Sequence, residues 1–259
     1  MMLKILYEDA TLLIVDKPPG MPVLREGPGI TRSVAEVLSN QFPELLKLGE
    51  EYRYGICHRL DKDTSGILLV AKTKESFRYF QEQFKKRKVE KTYLCLVVGT
   101  LKEKEGVIEG TLGRSPHDRR KQKVFVGSAP ESAREATTTY KTLEEFPEFT
   151  PLEVINSNRQ TIVHERMSKQ AKPLTGFTLL EVSPKTGRKH QIRAHCVFIH
   201  HPIAGDKLYG FKNQPTPKNL ERQFLHASSL KIILENGKEM KFNSGLPEDL
   251  QQVLAILRS

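Results

Sequence analysis

The sequence predicts an α+β fold built on a mixed, largely antiparallel β-sheet. Short segments rich in β-forming residues follow one another along the chain. Few segments with helical spacing stand between them, whereas a doubly wound parallel fold alternates strands with helices. The length of 259 residues suits one sizeable domain with a substantial core. We therefore expect residues 1–259 to form a single domain, with helices flanking one sheet.

Nine segments have the composition of strands. They are residues 3–7, 12–16, 66–71, 89–98, 107–112, 123–126, 136–143, 177–182 and 229–234. Turn-forming residues separate the first two, which predicts a hairpin or two adjacent strands. Residues 17–22 must form a loop because they contain three prolines and one glycine.

Four segments have the spacing of amphipathic helices, namely residues 31–42, 74–86, 188–199 and 248–258. In the second, Phe77, Phe80 and Phe84 recur at i, i+3 and i+7, which is typical of a face buried in the core. Residues 142–176 are polar and uneven. We interpret them only as an insertion or an irregular connection.

The charge balance favours a polyanionic partner. Lys and Arg total 41 against 31 Asp and Glu, which gives a formal net charge of +10. Nucleic acid is the commonest polyanion that such a surface attracts. Charge alone does not separate a nucleic-acid-binding protein from one that is simply basic.

The cysteines and the apolar runs indicate a cytoplasmic protein. Three cysteines at wide spacing do not form a disulfide framework and suit a reducing compartment. Acidic residues Glu8 and Asp9 arrive before any apolar stretch of a signal peptide could form. The apolar runs are far too short to span a bilayer. We expect no targeting segment and no membrane contact.

The densest polar cluster, residues 57–66, reads Cys-His-Arg-Leu-Asp-Lys-Asp-Thr-Ser-Gly and leads into a predicted strand. Its last four residues suit an ordinary turn. His58, Arg59 and Asp61 are not needed for a turn, and two cations that flank a carboxylate favour its ionised form. A positioned, ionised carboxylate is what covalent catalysis by aspartate requires.

A second cluster, residues 183–195, opens the third predicted helix. Thr186 is a candidate helix cap, and Arg188 and Lys189 place cations where the helix dipole disfavours them. A bound anion would offset that repulsion, and the free N–H groups of a helix start favour phosphate. A solvated basic helix start is the alternative interpretation.

Two further runs of cations, residues 85–88 and 119–123, suit contacts with an RNA backbone. One such run is usually only a solvated face of the protein. Two runs in a chain with a net charge of +10 favour contacts with RNA. Together with the cations of the two clusters, the candidate RNA-binding residues are His58, Arg59, Lys85, Lys86, Arg87, Lys88, Arg119, Arg120, Lys121, Lys123, Arg188 and Lys189.

Taken together, these stretches resemble the RluA-type family of RNA pseudouridine synthases, from about residue 5 to about residue 235. The likeness is strongest in residues 58–73, His-Arg-Leu-Asp-Lys-Asp-Thr-Ser-Gly-Ile-Leu-Leu-Val-Ala-Lys-Thr. The other matching segments are residues 15–23, Lys91-Thr92-Tyr93, residues 186–195, residues 201–206 and Tyr209-Gly210. So many ordered matches over so long a span are specific.

The resemblance implies a role for three residues. Asp61 would be the nucleophile, Tyr93 would stack on the uracil and help proton transfer at its C5, and Arg193 would pair with Asp61. It also implies a curved mixed sheet in two lobes with an active cleft between them, and no metal or organic cofactor. We expect a monomer that converts specific uridines of structured rRNA or tRNA to pseudouridine.

Three features depart from the family pattern. His200 stands where the family usually has glycine, which affects the local turn but no catalytic role. The small RNA-binding S4 module that precedes many members is not expected, since the catalytic pattern starts almost at Met1. Residues 142–176 are longer than the pattern predicts.

Three rival functions fit parts of the sequence. Asp61-Lys62-Asp63-Thr64 imitates the motif of haloacid-dehalogenase phosphatases, but there the apolar strand comes before the motif and here it comes after. An RNA-binding protein without catalysis would have no use for Asp61 facing phosphates. A zinc enzyme lacks the usual ligand patterns, and its candidate ligands would be His190, His195, Cys196, His200 and His201.

Overall fold

The computed structural model describes residues 2–25, 32–48, 53–147 and 175–259. Within these ranges ten strands form one sheet. The strands are β1 (Lys4–Glu8), β2 (Leu12–Lys17), β3 (Ser65–Ala71), β4 (Glu90–Val98), β5 (Glu105–Arg114), β6 (Gln122–Phe125), β7 (Arg134–Phe146), β8 (Phe177–Pro184), β9 (Leu225–Ile233) and β10 (Glu239–Asn243). The helices are α1 (Val34–Gln41), α2 (Lys74–Lys85), α3 (Gln191–Phe198) and α4 (Glu248–Arg258), with a short 3₁₀ helix at Pro43–Lys47.

The strand order is β1-β2-β3-β9-β4-β8-β7-β5-β6, and β10 also pairs with β9. Each of these pairs is antiparallel except β3 with β9. The prediction of an α+β fold with a mixed, largely antiparallel sheet is therefore confirmed. No helix in the described ranges has the length and apolar character needed to cross a membrane.

The junction between β3 and β9 consists of two residue pairs, Ser65 with His226 and Gly66 with Ala227. Gly66 has a φ of +113°, and a Cβ there would lie 2.3 Å from the carbonyl oxygen of Ala227. Glycine is therefore required for this close approach. Past the junction, β10 takes the place of β3 beside β9, so this short contact is what joins β1, β2 and β3 to the rest of the sheet in the described residues.

The core explains why β2 and β3 read as continuous apolar runs. Leu13 of β2 packs with residues of α1, whereas its neighbour Leu12 packs on the opposite face with Phe77 and Phe80 of α2. Because successive side chains of a strand point to opposite faces, a strand covered on both sides needs apolar residues throughout. Phe84 is partly buried on the same side as Phe80, so the predicted phenylalanine face is a core face.

Two regions differ from the sequence interpretation. The strand β10 was not predicted, because Phe242 is its one buried residue and its apolar signal is weak. Strand β7 continues to Phe146, so residues 142–146, interpreted as part of an irregular connection, pair with β8 instead. Residues 148–174 of that proposed insertion lie outside the described residues.

Candidate active site

A cavity of about 570 Å³ lies beside the β3–β9 junction. Its walls come from the segment before β3, the end of α2, the start of β4 and the segment that leads into α3. Of the predicted site residues, those that line the cavity are His58, Arg59, Asp61, Lys85, Arg87, Tyr93, Arg188, Lys189 and Arg193. Lys86, Lys88, Arg119, Arg120, Lys121 and Lys123 are not among its lining residues.

Arg193 joins two carboxylates at the wall of this cavity. Its Nη1 donates to Oδ2 of Asp61 at 3.0 Å, while Nε and Nη2 donate to the two oxygens of Asp206 at 2.7 and 2.9 Å. The Asp206 side chain is fully buried, whereas that of Asp61 is 21% exposed. Asp61 is therefore the carboxylate that a ligand in the cavity can reach.

The charge of Arg193 is secured despite its burial. Burial by itself lowers the pKa of Arg193, but the hydrogen bonds and charges of Asp206 and Asp61 outweigh it and raise that pKa above its usual value. The guanidinium also lies over the ring of Tyr209, with Cζ 4.9 Å from the ring centroid. Asp206 also accepts hydrogen bonds from the backbone N–H groups of Leu208 and Tyr209. The carboxylate that binds Arg193 is therefore itself held in place.

Sequence reasoning assigned no role to Asp206 or Tyr209. Both lie in a segment that the resemblance matched, residues 201–206 and 209–210, but their spacing from Arg193 carries no signal of contact. A buried arginine requires a carboxylate partner, which is the one general signal that could have prompted a search for Asp206.

Tyr93 lies near the start of β4, where the register against β9 shifts between Thr92 and Tyr93. Such a bulge re-aims the side chains that follow it. Burial and, to a lesser extent, the charge of Asp61 raise the pKa of Tyr93 above its usual value. The phenol is therefore a neutral O–H group at physiological pH, on the wall of the same cavity as Asp61.

His190 is a second neighbour of Asp61. Its Nε2 lies 3.9 Å from Oδ1 of Asp61, and its Nδ1 lies 3.1 Å from the hydroxyl of Tyr209. That hydroxyl accepts the backbone N–H of Gln122 at 2.6 Å, so its own proton is free to be donated to Nδ1. In the tautomer whose Nδ1 accepts that proton, the ring carries its own proton on Nε2, on the side of Asp61. Burial lowers the pKa of His190 to about 4.

The helix α3 starts three residues later than predicted, at Gln191, after His190 in the left-handed conformation with a φ of 53°. The proposed cap Thr186 does not cap it. Its hydroxyl instead donates to Oε1 of Gln191 and accepts the backbone N–H of Thr137 in β7. Arg188 and Lys189 consequently lie in the segment before the helix and not in its first turn, so the argument from cations inside the first turn was wrong.

The assumption that His58 is a cation beside Asp61 was also wrong. Nε2 of His58 accepts the backbone N–H of Leu69 at 2.9 Å, and its ring stacks on Phe84 at 4.8 Å between centroids. Burial first, and then the charge of Lys91, lower the pKa of His58 to about 3. The ring is therefore neutral and supports the segment before β3, while Arg193 supplies the counter-charge for Asp61.

Lys17 fixes the same segment from the other side. Its buried ammonium donates to the carbonyl oxygens of Pro18, Met21 and Lys62, each at 2.8 Å. Three carbonyl acceptors match the three N–H groups of a charged lysine, although burial lowers the pKa of Lys17 to about 7. The contact to Lys62 holds the residue next to Asp61 in place.

In the two basic runs, residues 85–88 and 119–123, some of the cations have acidic partners. Glu82 lies 3.9 Å from Lys85 and 3.3 Å from Lys86, and Arg120 makes a two-pronged contact with Asp118. Nζ of Lys121 lies 6.0 Å from the ring centroid of Tyr209. Arg119 and Lys123 are exposed.

Neither enzymatic rival gains support from the described residues. No group of three or more His, Cys, Asp or Glu side chains within them is arranged to hold a metal ion. The apolar strand β3 follows Asp61 and Asp63, which is the reverse of the order that a haloacid-dehalogenase site requires.

Comparison with known proteins identifies the class of protein. A family model described as RNA pseudouridylate synthase matches residues 11–197. The chain is 36% identical over 264 residues to the ribosomal large subunit pseudouridine synthase D of Nitrosomonas europaea, covering 99% of this chain and 66% of that protein. It is 34% identical to the ribosomal large subunit pseudouridine synthase C of Haemophilus influenzae, covering 98% of this chain and 69% of that protein.

The fold agrees with these sequence relationships. The solved structure of human RNA pseudouridylate synthase domain containing 4 superposes with a TM-score of 0.68 at 25% identity, covering 98% of this chain and 93% of that one. The chain belongs to the RluA-like family of RNA pseudouridine synthases, which are isomerases. It spans about two thirds of the length of the curated relatives, 66% and 59% for the first two.

The charge state of His58 predicts how stability depends on pH. The unfolded chain binds a proton at His58 near pH 6.5, whereas the folded protein binds it near pH 3. Stability is therefore complete above about pH 6.5 and falls with acidification, by at most about 1.4 kcal/mol per pH unit from this group. In His58→Gln, the free energy of unfolding measured in urea should fall less steeply between pH 6.5 and 4.

The matched control is His117→Gln, which changes an exposed histidine and should leave the wild-type slope intact. An equal slope in His58→Gln and wild type would show that His58 is not held neutral in the folded protein.

Proposed function

We propose that this protein converts uridine to pseudouridine in RNA, with Asp61 as the nucleophile. One observation carries the proposal. Asp61 is the accessible member of a carboxylate pair held by the buried Arg193, and it lines a cavity together with Tyr93. A carboxylate fixed by a charge-assisted hydrogen bond is suited to covalent catalysis.

The positions of these groups support the following chemistry. The target uridine leaves its stack so that its ring enters the cavity. Asp61 forms a bond to either the uracil ring or C1′ of the sugar, and the N1–C1′ bond breaks. The ring then turns so that C5 bonds to C1′, and the bond to Asp61 breaks, which restores the free carboxylate. The C5 proton then leaves and N1 is protonated. Tyr93, which lines the cavity, stacks on the ring, and its neutral hydroxyl helps this proton transfer.

Arg193 orients Asp61 and offsets its charge. As the carboxylate bonds to the substrate its charge is lost, and the guanidinium remains neutralised by Asp206. No energy source is required because the reaction is an isomerisation.

The relatives favour ribosomal RNA as the substrate. Those with a specific name are pseudouridine synthases of the large ribosomal subunit. We propose that this protein modifies large-subunit rRNA in the cytoplasm, with transfer RNA as the alternative. Mapping pseudouridines in rRNA and tRNA from cells with and without the gene distinguishes the two.

Tritium release tests the reaction itself. With RNA labelled at C5 of uridine, the wild-type protein should release tritium without added metal, nucleotide or organic cofactor. Asp61→Asn keeps the shape of the side chain but removes the nucleophile, so release should fall by at least a thousandfold while RNA affinity changes less than about threefold, since affinity rests on contacts to phosphates.

Two results would contradict the assignment. One is substantial release by Asp61→Asn in a sample shown by mass spectrometry to be free of deamidation back to aspartate. The other is an absolute requirement of the wild type for a divalent ion on RNA that is already folded without it.

The cations of residues 119–123 should contribute unequally to RNA affinity. Each phosphate that a cation neutralises adds roughly 0.7–0.9 to the slope of log affinity against log salt. Arg119→Gln with Lys123→Gln should lower that slope by about 1.5 if both exposed cations contact phosphates. Arg120→Gln should lower it less, because Asp118 already neutralises Arg120. An unchanged slope in the double variant would show that this run is only a solvated face.

A further inference from the structure

Lys91 is a cation in the cavity wall that forms no ion pair with a carboxylate of the described residues. Its Nζ has a hydrogen bond to the carbonyl oxygen of Thr186 at 3.2 Å. Among the described residues, no Asp or Glu forms an ion pair with it, although other lysines such as Lys72 and Lys231 have such partners. Burial lowers the pKa of Lys91 to about 8, and no carboxylate of the described residues counteracts this. A partly buried ammonium that donates one hydrogen bond has two further N–H groups with which to bind an anion.

The wall next to Lys91 is open because residue 187 is glycine. A Cβ added to Gly187 would meet one neighbour within 4 Å, Nζ of Lys91 at 3.6 Å. A side chain at this position would therefore cover the ammonium. The exposed cations Lys185, Arg188 and Lys189 line the same cavity, so the electrostatic potential there attracts an anion.

The position of Lys91 identifies the anion. It lies two residues before Tyr93 on β4, and both side chains line the cavity that receives the uridine. A nucleotide whose base lies against Tyr93 carries its phosphate a short distance away along the same wall. Other anions, such as carboxylates or free phosphate, are not attached to the base that occupies the cavity, so nothing would bring them to Lys91 together with it.

We propose that Lys91 and the opening at Gly187 form a subsite for the backbone phosphate of the uridine that occupies the cavity. This deepens the proposed function and rests on it. The subsite secures the flipped nucleotide by its own phosphate, whereas the exposed cations outside the cavity contact the RNA on either side. Lys91 is thus a binding residue, and it takes no part in breaking or forming the glycosidic bond.

The test compares uridine 5′-monophosphate with uridine by NMR titration of the labelled protein at pH 7. The wild type should bind the nucleotide about tenfold more tightly than the nucleoside, as expected for a charge-assisted contact. In Lys91→Met this ratio should fall below about twofold while the affinity for uridine stays the same. Lys91→Arg should restore much of the ratio.

Gly187→Ala tests whether the ammonium must be accessible, because it keeps the charge of Lys91 and places a methyl group in contact with its Nζ. The preference for the nucleotide over uridine should fall in this variant too. Lys102→Met, which removes an exposed cation outside the cavity, should leave the ratio at the wild-type value.

An equal ratio in wild type and Lys91→Met would overturn the proposal, as would a wild type that does not prefer the nucleotide at all. These measurements require no turnover. A protein that releases tritium from RNA but shows no phosphate preference would contradict the subsite alone, whereas a protein with the preference but no tritium release would contradict the proposed reaction.

Discussion

The ion pair between Arg193 and Asp206 determines where the Asp61 carboxylate lies. Asp206 holds the guanidinium through two hydrogen bonds and is itself held by two backbone N–H groups. One face of the guanidinium is covered by Tyr209. These contacts leave Nη1 pointing at Asp61. The position of the proposed nucleophile therefore depends, through Arg193, on Asp206 and Tyr209, which are not among the lining residues of the cavity.

The ion pair of Arg193 with Asp206 contributes more to the geometry of the site than to the stability of the fold. Burying an ion pair costs about as much desolvation energy as its attraction returns, and apolar replacements of such pairs are often neutral or stabilising. A carboxylate that must face a cavity in one orientation needs a rigid partner. An arginine held by two hydrogen bonds is more rigid than a lysine. The short β3–β9 junction, with the close approach at Gly66, brings the segment that carries Asp61 to this partner.

The sequence was sufficient for most strands because their burial on one or both faces leaves a periodic apolar pattern. It was insufficient where an element is scarcely buried, as in β10, and where charge depends on burial, as in His58. The contacts of Asp206, Tyr209 and Lys91 join segments far apart in the chain, so no local pattern reveals them. Asp61 was singled out by the polar cluster that contains it, whereas Tyr93 and Arg193 were assigned roles through a family resemblance. The cavity wall that the three residues share agrees with the roles proposed for them.

His200 shows how the structure explains a departure from the family pattern. It follows α3 with a φ of 65°, in the left-handed region that glycine adopts without strain. Histidine at this position costs roughly 1–2 kcal/mol, which is the physical reason why glycine is usual there. The turn is formed nonetheless, with the N–H of His201 donating to the carbonyl of Cys196 at 2.9 Å.

The most direct test of this structure is the single-turnover rate of pseudouridine formation by wild type and Arg193→Met on the same RNA. Arg193 holds the Asp61 carboxylate through the hydrogen bond from Nη1, so its removal leaves the proposed nucleophile without its fixed partner. We expect a much lower maximal rate in the variant while RNA affinity stays close to that of the wild type. A single-turnover rate equal to that of the wild type would contradict the claim that Arg193 positions Asp61 for catalysis.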